Sequence, residues 1–307
     1  MAFGVPRPSP LVSAETLDAH RGDAAWLAVD CRHDLADVEK GPREFERGHI
    51  PGAQFAHIDR DLSGPVGDGR KGRHPMPSPD ALRAALGRLG VTPDTMVVAY
   101  DDQAGQWASR LWWLLRHYGH AKAAVLDGGL TRWKALGLPL ESGPAHPRKP
   151  TTFHGEPGHM PTIDATTIEA GIGQKASWQL VDVRAGERFR GEVEPVDKRA
   201  GHIPGAISMP FGGNIGSGML FKSPDELRAM YEAALGVQEV GRVACYCGSG
   251  VTGTHDVLAM EAAGMGTAAL YPGSWSEWSW PEAERPIVAG PHDKTLRAQN
   301  LAAAQKR

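Results

Sequence analysis

Gly48-His49-Ile50-Pro51-Gly52-Ala53 returns later in the chain as Gly201-His202-Ile203-Pro204-Gly205-Ala206. Its surroundings return with it. Upstream, Leu27-Ala28-Val29-Asp30-Cys31-Arg32 is answered by Leu180-Val181-Asp182-Val183-Arg184. Downstream, Ser78-Pro79-Asp80-Ala81-Leu82-Arg83 is answered by Ser223-Pro224-Asp225-Glu226-Leu227-Arg228. Leu126-Asp127-Gly128-Gly129 with Trp133 is answered by Tyr271-Pro272-Gly273-Ser274 with Trp278. Four matches in one order read as two copies of one unit, the division that 307 residues already favours.

Each copy alternates short apolar runs with helical segments. Runs at 25–30, 95–100 and 122–126, then 178–183, 242–246 and 267–271, predict strands, being brief and followed by turn residues. Segments 78–89, 106–117, 224–235 and 252–263 predict helices, two of them opened by Ser-Pro-acidic caps at Ser78 and Ser223. Such alternation gives an α/β fold, a parallel sheet with helices on both faces in each copy. The expected boundaries are a first domain at 1–140, a Pro- and Gly-rich linker at 141–161, a second domain at 162–288 and a polar tail at 289–307, frayed or disordered.

A net charge of −3 gives no reason to expect nucleic acid or an anionic membrane as partner. No apolar stretch spans a bilayer, and Met1 to Arg7 lacks the hydrophobic segment of a signal peptide. Three cysteines cannot form a disulfide framework, so reduced thiols in a cytoplasm are expected.

One cysteine stands apart. Cys245-Tyr246-Cys247-Gly248-Ser249-Gly250-Val251-Thr252 follows a strand and precedes a helix. That placement aims loop amides and a helix N-terminus at the Cys247 sulfur, and a thiol so placed ionises readily. Gly248 and Gly250 let the backbone approach the sulfur. Cys245 and Cys31 read as packed thiols. His49 and His202 occur in both copies, as do Asp30 and Asp182, so they read as structural. Trp112, Trp113, Trp275, Trp278 and Trp280 read as packing. The 13 histidines show no metal-ligand spacing with the cysteines, and neither metal nor cofactor is expected.

Taken together, these motifs resemble the tandem-domain rhodanese family of sulfurtransferases, from roughly Leu11 to Pro286. The resemblance implies two rhodanese-like domains, the second catalytic. The first has Ala99-Tyr100-Asp101 where the second has Cys245-Tyr246-Cys247, and Asp101 cannot carry sulfur. Members preferring thiosulfate carry an Arg-Lys pair after the cysteine. Gly248 and Ser249 instead resemble the branch that takes 3-mercaptopyruvate. Cys247 would then pass sulfur, as a persulfide, to a thiol such as thioredoxin or glutathione, or to cyanide, releasing pyruvate. The loop amides of Gly248 to Thr252 would stabilise the thiolate and the persulfide, which makes Gly248, Gly250, Val251 and Thr252 substrate-binding positions, and Thr252 is expected to cap the next helix, a structural role. Arg188 matches the family's carboxylate-binding arginine. Arg199 is the nearest match to a second, with Lys198 or Arg190 as alternatives. Ser249, His74 and Asp59 match a Ser–His–Asp relay that returns a proton to the pyruvate enolate.

Three other readings stand beside this one. A thiosulfate sulfurtransferase would use the same residues. A cysteine phosphatase would need arginine where Gly253 stands. A non-catalytic sulfur carrier would keep its role after Cys247→Ser.

Overall fold

Strand-forming runs rich in valine, leucine and alanine assemble into two parallel sheets, one per copy. The computed structural model describes residues 9–174, 178–236 and 239–291. The first copy runs β1 (Leu11–Val12), α1 (Ala14–Ala19), β2 (Trp26–Asp30), α2 (Lys40–Arg47), β3 (Gln54–Phe55), α3 (Pro79–Arg88), β4 (Met96–Tyr100), α4 (Ala108–His117), β5 (Ala123–Leu126) and α5 (Gly129–Ala135). The second runs α6 (Ala165–Gly171), β6 (Gln179–Asp182), α7 (Gly186–Phe189), β7 (Ile207–Ser208), α8 (Pro224–Leu235), β8 (Val243–Tyr246), α9 (Gly253–Ala262), β9 (Ala269–Leu270) and α10 (Ser274–Trp278).

The first sheet is ordered β1-β5-β4-β2-β3 and the second β7-β6-β8-β9, with every strand pair parallel. Thr162 bridges Leu270 in parallel, standing where β1 stands beside β5, so the two copies share one topology. The expected fold is therefore the observed one. Ser78 accepts the Ala81 N–H, and Ser223 forms a capping box with Glu226.

Alternation along the strands separates the two faces of each sheet. Leu27, Val29, Val97, Ala99 and Val125 point to one core, while Ala28, Val98, Tyr100 and Leu126 point to another with Leu17 and Trp133. In the second copy Val181, Val243, Cys245 and Leu270 join the first of these cores, whereas Leu180, Ala244, Tyr246 and Ala269 pack with Phe189, Trp275 and Trp278. One core is thus common to both copies. Its middle is α4 against α9, with Leu111, Trp112, Val257 and Leu258 buried together. Emptying such a tryptophan site costs about 3–5 kcal/mol, so the copies hold each other firmly.

The repeated motif is structural in both copies. Arg32 clamps Asp30 and the Gly48 carbonyl, and Arg184 clamps Asp182 and the Gly201 carbonyl. His49 donates to the Phe45 carbonyl and stacks on that ring; His202 does the same with Phe189.

The segment 141–161, expected as a linker, is not a loose tether. Glu141 bridges His49, Arg148 donates to the Trp26 and Ala24 carbonyls, Thr151 bonds Gly87, and Phe153 and Met160 are buried. Its prolines and glycines suit a path pinned along the first domain as well as a flexible one. Met1 to Arg7 and the tail beyond residue 291 lie outside the described residues.

Candidate active site

β8 ends at Tyr246 and α9 starts at Gly253, and the chain between them closes around Cys247. The Cys247 Sγ accepts the N–H of Gly250 at 3.1 Å and of Ser249 at 3.4 Å. Gly250 makes this possible: its φ is +79°, and a Cβ there would lie 2.1 Å from the Pro272 carbonyl oxygen. The other side of the loop is held from α10. Cys247 N–H donates to Ser274 Oγ at 3.1 Å, while the Cys247 and Gly248 carbonyls accept from Trp275 and Ser276 N–H at 3.0 and 2.8 Å. Cys247 as a whole residue is only 3% exposed, so the loop shields it from bulk solvent.

The first copy reaches this loop through His74. Its Nδ1 lies 2.7 Å from Ser249 Oγ, and its Nε2 lies 3.0 Å from Asp59 Oδ1. Burial lowers the pKa of His74 and outweighs the opposing pull of Asp59. The hydrogen bond from His74 in turn holds the Asp59 carboxyl below its ordinary range. Both directions describe one state, a neutral imidazole donating Nε2–H to a carboxylate. Nδ1 is then bare and accepts the Ser249 hydroxyl proton.

Two guanidiniums overhang Gly248. A Cβ at that residue would meet Arg73 Nη2 at 3.0 Å and Arg188 Nη1 at 3.6 Å. Arg188 is braced by Glu194 at 2.6 Å and Asp197 at 2.9 Å, and Arg73 by Asp197 at 2.6 Å. Arg199, expected as the second substrate arginine, donates to the Arg285 carbonyl at 3.3 Å. Arg73 holds the place beside Gly248 instead. Arg190 pairs with Glu192 on the surface, and Lys198 is exposed. Spacing along the chain could not foresee which way these side chains turn.

Arg110 is a further cation that sequence reading missed. It is fully buried in α4 and donates to the Gly250 carbonyl at 3.1 Å and the Leu62 carbonyl at 3.3 Å. Burial brings its pKa to about 10, with the Cys247 charge opposing the fall, so it remains a cation at neutral pH. A lone arginine inside Ala108-Ser109-Arg110-Leu111-Trp112-Trp113 was the available signal.

Thr252 does not cap α9: it takes helical dihedrals and makes no capping bond. Thr254 Oγ1 donates to the Val251 carbonyl at 2.6 Å instead. Val251 is buried behind the sulfur loop. Cys31 and Cys245 are packed thiols whose pKa burial drives well above the ordinary value. Gly253 leaves the phosphatase clamp position without a side chain.

In the first copy the equivalent loop encloses Asp101. Its carboxylate accepts the N–H groups of Gln103, Gly105, Trp107 and Ala108 at 2.7–2.9 Å. The amide cradle is therefore present in both copies, and the first fills it with its own anion. Beside the relay, His33, His57 and Asp59 bring ligand-type atoms within 4.8 Å of one another. Both His57 nitrogens are engaged with backbone, Nε2 with the Val38 carbonyl and Nδ1 with the Asp59 N–H, which leaves the group short of three open ligands.

The family described as "Rhodanese-like domain" matches residues 13–136 and 164–280. A Pseudomonas aeruginosa protein named "Probable 3-mercaptopyruvate sulfurtransferase" is 44% identical over 281 residues, 91% of this chain and 98% of its own. The thiosulfate sulfurtransferase of Gallus gallus is 34% identical over 282 residues, 87% of this chain and 92% of its own. Among solved structures, 3-mercaptopyruvate sulfurtransferase from Leishmania major superposes with a TM-score of 0.78 at 29% identity, over 90% of this chain and 76% of that one. With its sulfur loop, its duplicated topology and both halves matched, this chain belongs to the rhodanese-like family.

Proposed function

We propose that the protein is a 3-mercaptopyruvate sulfurtransferase working through a Cys247 persulfide. The observation that carries this reading is the Ser249–His74–Asp59 line, which delivers a neutral imidazole to a loop whose Gly248 has no side chain. The donor's carboxylate pairs with Arg188 and Arg73 over Gly248, a site suited to planar, bidentate recognition. The Cys247 thiolate attacks the donor sulfur. An S–S bond forms, the C–S bond breaks, and its electron pair leaves as the enolate of pyruvate. The donor's thiol proton passes through Ser249 to His74 Nδ1, where Asp59 stabilises the imidazolium, and returns to the enolate carbon. Pyruvate and Cys247–S–S⁻ result. The Ser249 and Gly250 amides and the Arg110 charge stabilise the anionic sulfur. An acceptor thiolate or cyanide then takes the outer sulfur and restores the thiolate.

On this reading residues 1–140 form a non-catalytic half that lends Asp59, Arg73, His74 and Arg110, 141–161 its strap, 162–288 the sulfur-bearing half and 289–307 a tail. Among the described residues no helix is long and apolar enough to cross a membrane. Three unpaired thiols favour a reducing cytoplasm, with thioredoxin or glutathione as acceptor.

Pyruvate release measured with 3-mercaptopyruvate, against thiocyanate formation from thiosulfate and cyanide, tests the donor. The expected result is a kcat/KM at least about tenfold higher for 3-mercaptopyruvate, a difference of ~1.4 kcal/mol in transition-state binding. Preference for thiosulfate would overturn it.

A further inference from the structure

A second polar cluster lies deeper in α9, and its hydrogens can be assigned by elimination. His255 Nε2 contacts the Ala104 carbonyl at 3.0 Å, so that nitrogen carries a proton. Burial lowers the His255 pKa to about 4, so the ring is neutral and Nδ1 is bare. Nδ1 then accepts from Asn214 Nδ2 at 3.2 Å, which turns Asn214 Oδ1 toward Tyr231. Tyr231 spends its one hydroxyl proton on that oxygen, at 2.8 Å. Its second 2.8 Å contact, to Asp256 Oδ1, therefore needs a proton on Asp256. Burial raises the Asp256 pKa to about 7 against the pull of Tyr231 and Asn214, so the protonated acid is well populated at neutral pH and dominant below it.

The other oxygen, Asp256 Oδ2, is buried and accepts no hydrogen bond of ordinary geometry among the described residues, although the Asn214 amide lies close enough to the carboxyl to favour its charged form. An unpaired acceptor at such a depth is costly. Asp256 also lines a cavity of about 400 Å³ walled by Met209, Pro210, Met230 and Ala234. The wall is mostly apolar, and methionine sulfurs favour aromatic rings. None of these residues belongs to the sulfur loop, the relay or the arginine pair.

We propose that this cavity binds a small uncharged aromatic molecule bearing one hydrogen-bond donor, a phenol or an indole, with the donor meeting Asp256 and the ring lying against Met209 and Met230. The acid keeps its proton on Tyr231 and supplies the acceptor that the ligand's head group satisfies. The site is independent of sulfur transfer, and its test reads binding rather than turnover.

The test is a titration of the full chain, carrying ¹³C-methyl methionine, with p-cresol and separately with 4-methylanisole. The two probes share a ring, but only p-cresol can donate a hydrogen bond. Assigned Met209 and Met230 methyl signals should shift saturably with p-cresol, with a Kd of about 1 mM, as a fragment of this size gives. The ether should bind about tenfold more weakly or not at all. Asp256→Asn should keep p-cresol binding, because an amide both donates to Tyr231 and offers a carbonyl. Asp256→Leu should lose it. Equal binding of the two probes would overturn the proposal, as would no saturable shift of these two signals in the wild-type chain at about 10 mM p-cresol.

Discussion

His74, from the first copy, stands 2.7 Å from Ser249 Oγ of the second, although 175 positions separate them in sequence. The shared core of α4 and α9 keeps that bond in place, because neither half can shift without opening buried tryptophan contacts. Ser249→Ala and His74→Asn should each lower kcat for pyruvate release by about 10²–10³, the range of a lost general acid–base group. Persulfide formation from thiosulfate, which needs no carbon protonated, should fall far less. Equal losses with both donors would remove the relay from the mechanism.

The pH dependence has a defined sign. Burial lowers the His74 pKa, and the relay needs the neutral ring, so activity is complete at neutral pH and declines as pH falls through a value below the ordinary 6.5. Asp59 opposes that lowering, so Asp59→Asn should move the acid limb of kcat to still lower pH while reducing its plateau. An acid limb that moves upward in this variant would contradict the assignment.

Arg188 and Arg73 flank Gly248, whereas Arg199 is turned to the Arg285 carbonyl. Arg188→Ala and Arg73→Ala should raise KM for 3-mercaptopyruvate by about 10- to 100-fold, the loss of a charge-assisted pair. Arg199→Ala should change it less than about threefold, within the range of a surface substitution. Steady-state kinetics on the three variants gives the ranking directly.

Gly250→Ala places a methyl 2.1 Å from a backbone oxygen at a φ of +79°. The loop must open, withdrawing the Ser249 and Gly250 amides from sulfur. The variant should lose about 2–4 kcal/mol of stability and form little persulfide, by urea unfolding and by mass spectrometry after donor treatment.

Asp101→Ala should strip the partner from four amides in the first copy and cost about 2–4 kcal/mol in urea unfolding. Asp101→Asn, which keeps one acceptor oxygen, should cost less. Neither should alter KM, because Asp101 lies in the loop without sulfur.

Much of this was legible in the chain. The repeated segments placed β2, β4, β6 and β8 and their helices to within a few residues, because each brief apolar run ends in turn residues and two of the helices open on Ser-Pro-acidic caps. The short strands β3 and β7 have two residues each and exist through pairing with β2 and β6, which no local pattern reveals. Cys247, Ser249, His74, Asp59 and Arg188 came from motif matches and lie together in space. Arg73 stood beside His74 in sequence, yet its relevance depends on where Gly248 lies in the other copy. Arg110 was hidden in an apolar helix, since the carbonyls it binds come from Leu62 and Gly250, far from it in sequence.

The Asp101 cradle divides the labour between the halves. Where the second half sets a transferable atom against its loop amides, the first sets a permanently tethered oxygen pair. That half carries no sulfur in its loop and contributes reach instead, so, on the proposed reading, severing the polypeptide between the halves would leave a sulfur acceptor bereft of its proton carrier and its interior cation.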